Sequence, residues 1–177
     1  MPHVELVTPS GALRDSYRDL VDEFVQKGET LVPFVLRFEH GDFDDLLARL
    51  DGCSHGIGLP DGFVPHSTYW MVEDGAHVVG VSNIRHTLTP ALRREGGNIG
   101  YGIRPSARRR GYGREILRRS LLRAREVGLD EALLTCAKSN LASVSVIVGN
   151  GGVLIDEAYL PNRGEIVHRY VIRLGAS

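Results

Sequence analysis

Apolar positions along the chain recur at two periods. Leu13, Tyr17, Leu20, Val21 and Phe24 follow three- and four-residue steps, which predicts a helix opened by Ser10 and closed at Lys27-Gly28. Phe43, Leu46, Leu47 and Leu50 predict a second helix starting near Asp42. The strongest helical pattern covers 111–127. Ile116, Leu117, Ser120, Leu121, Ala124 and Val127 share one face; Arg114, Arg118, Arg119, Arg123 and Arg125 take much of the rest, and Gly128 terminates it. A short fourth helix is expected over 140–148, closed by Asn150-Gly151-Gly152. Alternating or continuous apolar runs predict strands at 4–7, 68–72, 76–84, 98–103, 132–136, 153–159 and 165–174. Glu73-Asp74-Gly75 turns the second into the third as a hairpin. Residues 51–67 and 88–97 read as connections, the first long enough to suggest a functional role. Strand, two helices, three strands, helix, strand, helix and two strands make a mixed α/β (α+β) domain. The order does not fit a doubly wound nucleotide-binding fold, in which strand and helix alternate throughout.

Composition narrows the class. At 177 residues and 42% hydrophobic content the chain suits one domain, 1–177, with a real core. A formal net charge of -1 provides no global pull toward nucleic acid or a membrane. No apolar run approaches the ~20 residues of a membrane helix. The start, Met-Pro-His-Val-Glu, lacks the basic and apolar regions of a signal peptide. Cys53 and Cys136 have no metal-like spacing and are expected to be reduced thiols. A cytoplasmic protein is the expectation.

The basic residues are nearly all arginine and crowd between Arg104 and Arg125. There the sequence Ile99-Gly100-Tyr101-Gly102-Ile103-Arg104-Pro105-Ser106-Ala107-Arg108-Arg109-Arg110-Gly111-Tyr112-Gly113-Arg114 reads as strand, basic glycine turn and helix start. The first N–H groups of a helix lack intrahelical partners, and the dipole adds positive charge there. Glycines let a bulky anion approach the backbone, so the turn suits a pyrophosphate. A dinucleotide fingerprint would need glycine at position 116, which is Ile116, and the Gly-Lys-Ser/Thr phosphate loop is absent. An arginine-covered helix also fits a solvated face or a nucleic-acid surface.

Arg108-x-x-Gly111-x-Gly113, after a strand and before a helix, resembles the Q/R-x-x-G-x-G/A signature of GNAT-superfamily N-acetyltransferases. The strand at 133–136 and Asn140-Leu141-Ala142-Ser143 resemble the segments that follow it, and the resemblance covers roughly residues 69–174. It implies the GNAT fold: a mixed, mostly antiparallel sheet of about six to seven strands, splayed at the cofactor site and flanked by about four helices. It implies acetyl-CoA as cosubstrate with no metal, and direct acetyl transfer to an amine through a ternary complex. The cofactor-binding set it implies is Ile103, Arg108, Arg109, Arg110, Gly111, Tyr112, Gly113, Arg114, Asn140 and Ser143. Pantetheine would lie between the splayed strands, with the Ile103 N–H as oxyanion donor. Asn140 and Ser143 read equally as a helix cap.

Family members often protonate the leaving thiolate with a tyrosine seven residues after that asparagine. Here the position is Ile147, and no acid is assigned. His86, at a strand end, is the leading candidate for the base, because histidine titrates near neutrality. Glu95 and Tyr101 are its rivals, with an undirected water relay as a further option. Glu39, Asp42, Asp44 and Asp45 form either an acidic rim attracting a cationic amine or an ordinary capped helix start. A small-molecule primary amine is the expected acceptor. A protein N-terminus or lysine, a non-catalytic acyl-CoA sensor, and a homodimer remain open. Nucleic-acid and membrane partners are not expected.

Overall fold

The computed structural model describes residues 2–175. The outermost residues of the expected 1–177 domain, Met1, Ala176 and Ser177, lie outside the described residues. Seven strands occur in chain order: β1 (Val4–Val7), β2 (His66–Glu73), β3 (His77–Arg85), β4 (Ile99–Ile103), β5 (Glu131–Ala137), β6 (Val153–Leu160) and β7 (Glu165–Arg173). Among the described residues five α-helices accompany them: α1 (Arg14–Gln26), α2 (Phe43–Ser54), α3 (Pro90–Arg94), α4 (Tyr112–Glu126) and α5 (Leu141–Gly149). The strands form two antiparallel sheets in the orders β1-β2-β3-β4 and β5-β7-β6.

The sheets are joined at one end of the β4–β5 seam. The Asn98 N–H donates to the Leu133 carbonyl at 2.7 Å, the Leu133 N–H donates to Asn98 Oδ1 at 2.9 Å, and Gly97 bridges Leu134. Beyond that stitch β4 and β5 belong to separate sheets, and the space between them is the cleft described below.

Alternation along β3 decides what each face carries. Val81 belongs to the core under α1 and α2, where Tyr17 stacks on Trp70 with ring centroids 4.5 Å apart. Ser82 bonds Ser120 of α4 at 2.7 Å, and Ile84 packs with Leu117 and Ala124 on that opposite face. The apolar stripe of α4 is buried as its periodicity requires: Ile116, Leu117, Ser120 and Ala124 are inaccessible.

Three local features differ from the sequence reading. Ser10 makes no cap bond; a 3-10 turn, Gly11–Leu13, intervenes before α1. Residues 51–54 continue α2 instead of opening a loop. The connection 88–97 contains α3, whose Thr89 Oγ1 accepts from the Leu92 N–H with Pro90 in the first turn. This fifth helix is too short to show periodicity. Of the two readings of the acidic stretch, the capped helix start is the one observed: Asp42 Oδ1 accepts from the Asp45 N–H at 3.0 Å and Glu39 Oε1 accepts from the His40 and Gly41 N–H groups.

Candidate active site

Two cavities open along the β4–β5 cleft and meet at shared walls: Val32, Tyr101, Asn140 and Ser143 line both. The first, about 610 Å³, runs past Gly102, Ile103, Arg108, Arg109, Gly111, Gly113 and Arg114. The second, about 500 Å³, lies at the stitched end and is lined by Asn83, Arg85, Glu95, Gly96, Thr135 and Cys136 among others. The residues 29–33 roof the seam where they meet. That roof depends on Gly102: a Cβ there would stand 1.9 Å from the Val32 carbonyl oxygen, so any side chain displaces the segment.

The basic turn is built as an anion receptor. Gly111 sits at φ +86, a left-handed conformation that costs other residues about 1–2 kcal/mol. The first helical bond of α4 is Glu115 N–H to Gly111 O at 3.2 Å. The N–H groups of Tyr112, Gly113 and Arg114 therefore precede the ladder and have no acceptor among the described residues. Arg109 and Arg114 line the cavity and form no ion pair among the described residues. These N–H groups, the helix dipole and the two arginines fit a pyrophosphate.

Other members of the expected set are placed differently. Arg110 pairs with Glu73 at 2.8 Å, outside the lining of both cavities. The Tyr112 ring is buried against Ile116, and its hydroxyl donates to Glu73. Both residues turn their side chains away and keep only backbone groups for the cradle. Arg108 donates Nε to the Ile103 carbonyl at 3.1 Å and closes on Glu29 with both terminal nitrogens.

The register of β4 orients its backbone. Arg104 N–H bonds Val79 O and Arg85 N–H bonds Asn98 O, at 2.9 and 2.7 Å. Alternation then turns the even-numbered residues of β4 toward β3 and points the N–H groups of Tyr101 and Ile103 into the cleft. The Tyr101 side chain forms the floor beneath the junction. Its buried hydroxyl lies beside Ser143 without a geometrically sound hydrogen bond, and burial, with a smaller opposing pull from Ser143, pushes the phenol above its ordinary range.

Asn140 caps a helix and also lines both cavities. Its Oδ1 caps α5, accepting from the Ser143 N–H at 3.1 Å, while Nδ2 remains unbonded on a residue lining both cavities. Ile147, buried at 2% exposure, lines the second cavity where a tyrosine was looked for.

The candidate bases separate. Glu95 follows α3 and is the one carboxylate lining the second cavity, where it pairs with Arg163 at 2.9 Å. His86 lines neither cavity; its Nε2 bonds Ser67 Oγ at 2.8 Å and burial lowers its pKa. Sequence reasoning missed Asn83 and Arg85. The available signal was a polar pair at alternate positions ending the apolar run of β3. No group of three His, Cys, Asp or Glu side chains among the described residues is placed to hold a metal. No helix among them is long and apolar enough to cross a membrane.

Comparison with known proteins agrees with this geometry. The family model described as Acetyltransferase (GNAT) domain matches residues 22–153. No curated protein matches the chain. Among solved structures, the microcin C7 self-immunity acetyltransferase MccE, bound to acetyl-CoA and AMP, is similar at 11% identity and TM-score 0.68, covering 96% of this chain and 92% of its own. The Salmonella typhimurium acetyltransferase that modifies the N-terminal serine of ribosomal protein L7/L12 is similar at 15% identity and TM-score 0.67, covering 96% and 94%. Spermidine N-acetyltransferase from Vibrio cholerae is similar at 15% identity and TM-score 0.63, covering 97% and 94%. With the family model matched over most of the chain and the cleft in place, the chain belongs to the GNAT acetyltransferases and is an N-acetyltransferase.

Proposed function

We propose that the acceptor is a small-molecule amine, bound in the 500 Å³ cavity at the stitched end of the cleft. The observation that carries this reading is the shape of that end. Val32 to Phe34 and Arg37 on one side, and Leu92, Glu95, Gly96 and Arg163 on the other, line a half-open pocket of small-ligand size. Acceptors of the similar structures range from spermidine to a ribosomal protein N-terminus, so the fold alone does not choose.

The proposed assignment follows the two cavities. The α4 N-terminus with Arg109 and Arg114 holds the pyrophosphate, and the Ile103 N–H and Asn140 Nδ2 hold the pantetheine arm. The junction at Tyr101 is where thioester and amine meet. Its N–H, pointing into the cleft, is then better placed than that of Ile103 to stabilise negative charge on the carbonyl oxygen. Glu95, directly or through water, takes the proton from the attacking nitrogen. The C–N bond forms and the C–S bond breaks; the departing sulfur, held by a hydrogen bond from the Tyr101 phenol buried at that junction, takes up through water the proton that Glu95 removed from the nitrogen. Acetyl-CoA and amine yield N-acetylamine and free CoA thiol.

The test is thiol release from acetyl-CoA across an amine panel, with products identified by mass spectrometry. Turnover with small amines supports the reading. Turnover only with peptides or proteins replaces it with a protein acetyltransferase. CoA binding without turnover on any amine replaces it with a sensor module.

A further inference from the structure

The charges around the acceptor cavity do not match a simple cation. Four charged side chains line it: Arg37, Arg85, Arg163 and Glu95. Arg163 is shared between Glu95 and Glu165, so those three largely satisfy one another. Arg37 has one long bond, 3.4 Å to the Phe34 carbonyl.

Arg85 is the informative residue. It lies on β3 with its guanidinium 5.2 Å from the Phe34 ring centroid, and only Nη1 is bonded, to the Gly97 and Gly96 carbonyls at 3.0 and 3.4 Å. Among the described residues, Nε and Nη2 have no partner and no carboxylate pairs with this arginine. Burial lowers its pKa, the mark of a cation withdrawn from water. Arg85 is half-buried, so its charge is only partly hydrated, and the unused edge of a guanidinium is a planar fork suited to a carboxylate or phosphate.

Asn83 stands two residues before Arg85, on the same face of β3 and about 6.8 Å along it by strand geometry. Its Nδ2 is committed to His66 Nδ1 and Thr68 Oγ1 at 2.8 and 3.1 Å, while Oδ1 is buried and unpartnered. The residue is 1% exposed, yet it lines the cavity. An N–H acceptor and an anion receptor thus sit one side-chain repeat apart. A molecule bearing an amine and an anion a few bonds apart satisfies both.

We propose that the acceptor amine carries an anionic group, a carboxylate or phosphate, that binds Arg85 through Nε and Nη2 with Arg37 alongside. This deepens the small-amine reading and rests on it. Polyamines, which bring further positive charge into this cavity, are poor acceptors.

The experiment compares matched amines on the wild-type enzyme: amino acids against their amides, phosphoethanolamine against ethanolamine, and spermidine. The expected result is at least a tenfold preference in kcat/KM for the anionic member, with the amino-acid and phosphoethanolamine arms showing which anion is preferred. Arg85→Gln then raises KM for anionic amines about 10- to 100-fold, the scale of a lost charge-assisted hydrogen bond. Kd for CoA stays unchanged, and Arg85→Lys restores part of the loss. Arg37→Gln provides the same readout should Arg85→Gln fail to fold. Equal or better use of amides and spermidine overturns the proposal, as does an anionic preference that survives Arg85→Gln. Absence of both turnover and calorimetric binding for every anionic amine also overturns it. CoA binding and turnover of uncharged amines would in that case leave the small-amine reading standing.

Discussion

Arg108 and Glu29 close a two-pronged ion pair, Nη1 to Oε1 at 2.9 Å and Nη2 to Oε2 at 2.6 Å, in the lining of the 610 Å³ cavity. The hydrogen bonds from Arg108 hold the Glu29 carboxyl below its ordinary range. Both side chains are more than a third exposed, so the pair adds only about 0–1 kcal/mol to stability. Its larger effect is on charge: a carboxylate stands beside the proposed pyrophosphate site. Glu29→Gln is expected to tighten CoA binding severalfold by calorimetry, more at low salt. Arg108→Ala weakens it, and Arg118→Ala, whose guanidinium is spent on Glu115, leaves it unchanged. Equal losses for both arginines would mean a diffuse basic surface instead of a site.

The cradle itself is tested at Gly111. A side chain at φ +86 strains the turn and crowds the free N–H groups. Acetyl-CoA at a hundredfold excess over Kd stabilises the wild type by about 2.7 kcal/mol. Gly111→Val is expected to fold with a modestly lower Tm and lose most of that ligand-induced shift. A full shift in the variant rejects the α4 N-terminus as the pyrophosphate site.

What was legible in the sequence follows from the range of the interactions involved. The α4 stripe and the alternating β7 are local patterns, and the glycine turn is a local anion receptor, so each could be read directly. The Arg108–Glu29 pair joins residues 79 apart in the chain, and nothing near either one announces it. That Arg110 and Tyr112 turn toward Glu73 is equally invisible in a run of consecutive arginines. Helix α3 has Thr89 and Pro90 as start signals but only five residues. His86 and Arg85 are adjacent in sequence; alternation puts Arg85 in the acceptor cavity, and His86 bonds Ser67 instead.

Cys136 lines the acceptor cavity close to where the CoA sulfur is proposed to reach, and burial raises its thiol pKa. The thiolate is the reactive form. Alkylation by iodoacetamide is therefore expected to be slow at neutral pH, to accelerate only above pH 9, and to be blocked by saturating CoA. Mass spectrometry of labelled peptides checks this. Labelling unaffected by CoA would place the sulfur end of the cofactor elsewhere.

Glu23 of α1 ties down the segment leading into the basic turn. Its carboxylate accepts from Arg104 Nε at 2.6 Å and from the Ser106 N–H and Oγ, each at 3.0 Å. Burial pushes the carboxyl up, but those bonds outweigh it, and the folded pKa is below the ordinary 4.5. A depressed folded pKa contributes stability that is present above about pH 4.5 and is lost as the pH falls through the folded value. Glu23→Gln should cost about 3 kcal/mol at neutral pH, because it leaves the buried Arg104 without a carboxylate. Its denaturation midpoint should then fall less steeply below pH 4.5 than the wild type's. Parallel acid limbs would show that Glu23 does not contribute to acid lability.

The proton-transfer assignment separates Glu95 from His86. A primary amine near pKa ~10.4 arrives mostly protonated at neutral pH, so a base raises the rate there and becomes dispensable in alkali. Glu95 lines the acceptor cavity, whereas the His86 imidazole is committed to Ser67. Glu95→Gln is expected to lower kcat by about 10²–10⁴ near pH 7 and recover toward wild type at high pH, with Kd for CoA unchanged. Loss of the Arg163 partner alone would not produce that recovery. Arg163→Gln therefore serves as the control, expected to shift KM more than the pH profile. His86→Ala should keep the wild-type profile, because its imidazole bonds Ser67 and lines neither cavity. Tyr101→Phe should lower kcat at every pH without recovering in alkali, since a lost hydrogen bond to sulfur is not supplied by hydroxide. A low-pH limb flattened by His86→Ala but not by Glu95→Gln would return the base to the histidine and require the end of β3 to move in the ternary complex. A profile unchanged in both variants leaves deprotonation to water held by the cleft carbonyls.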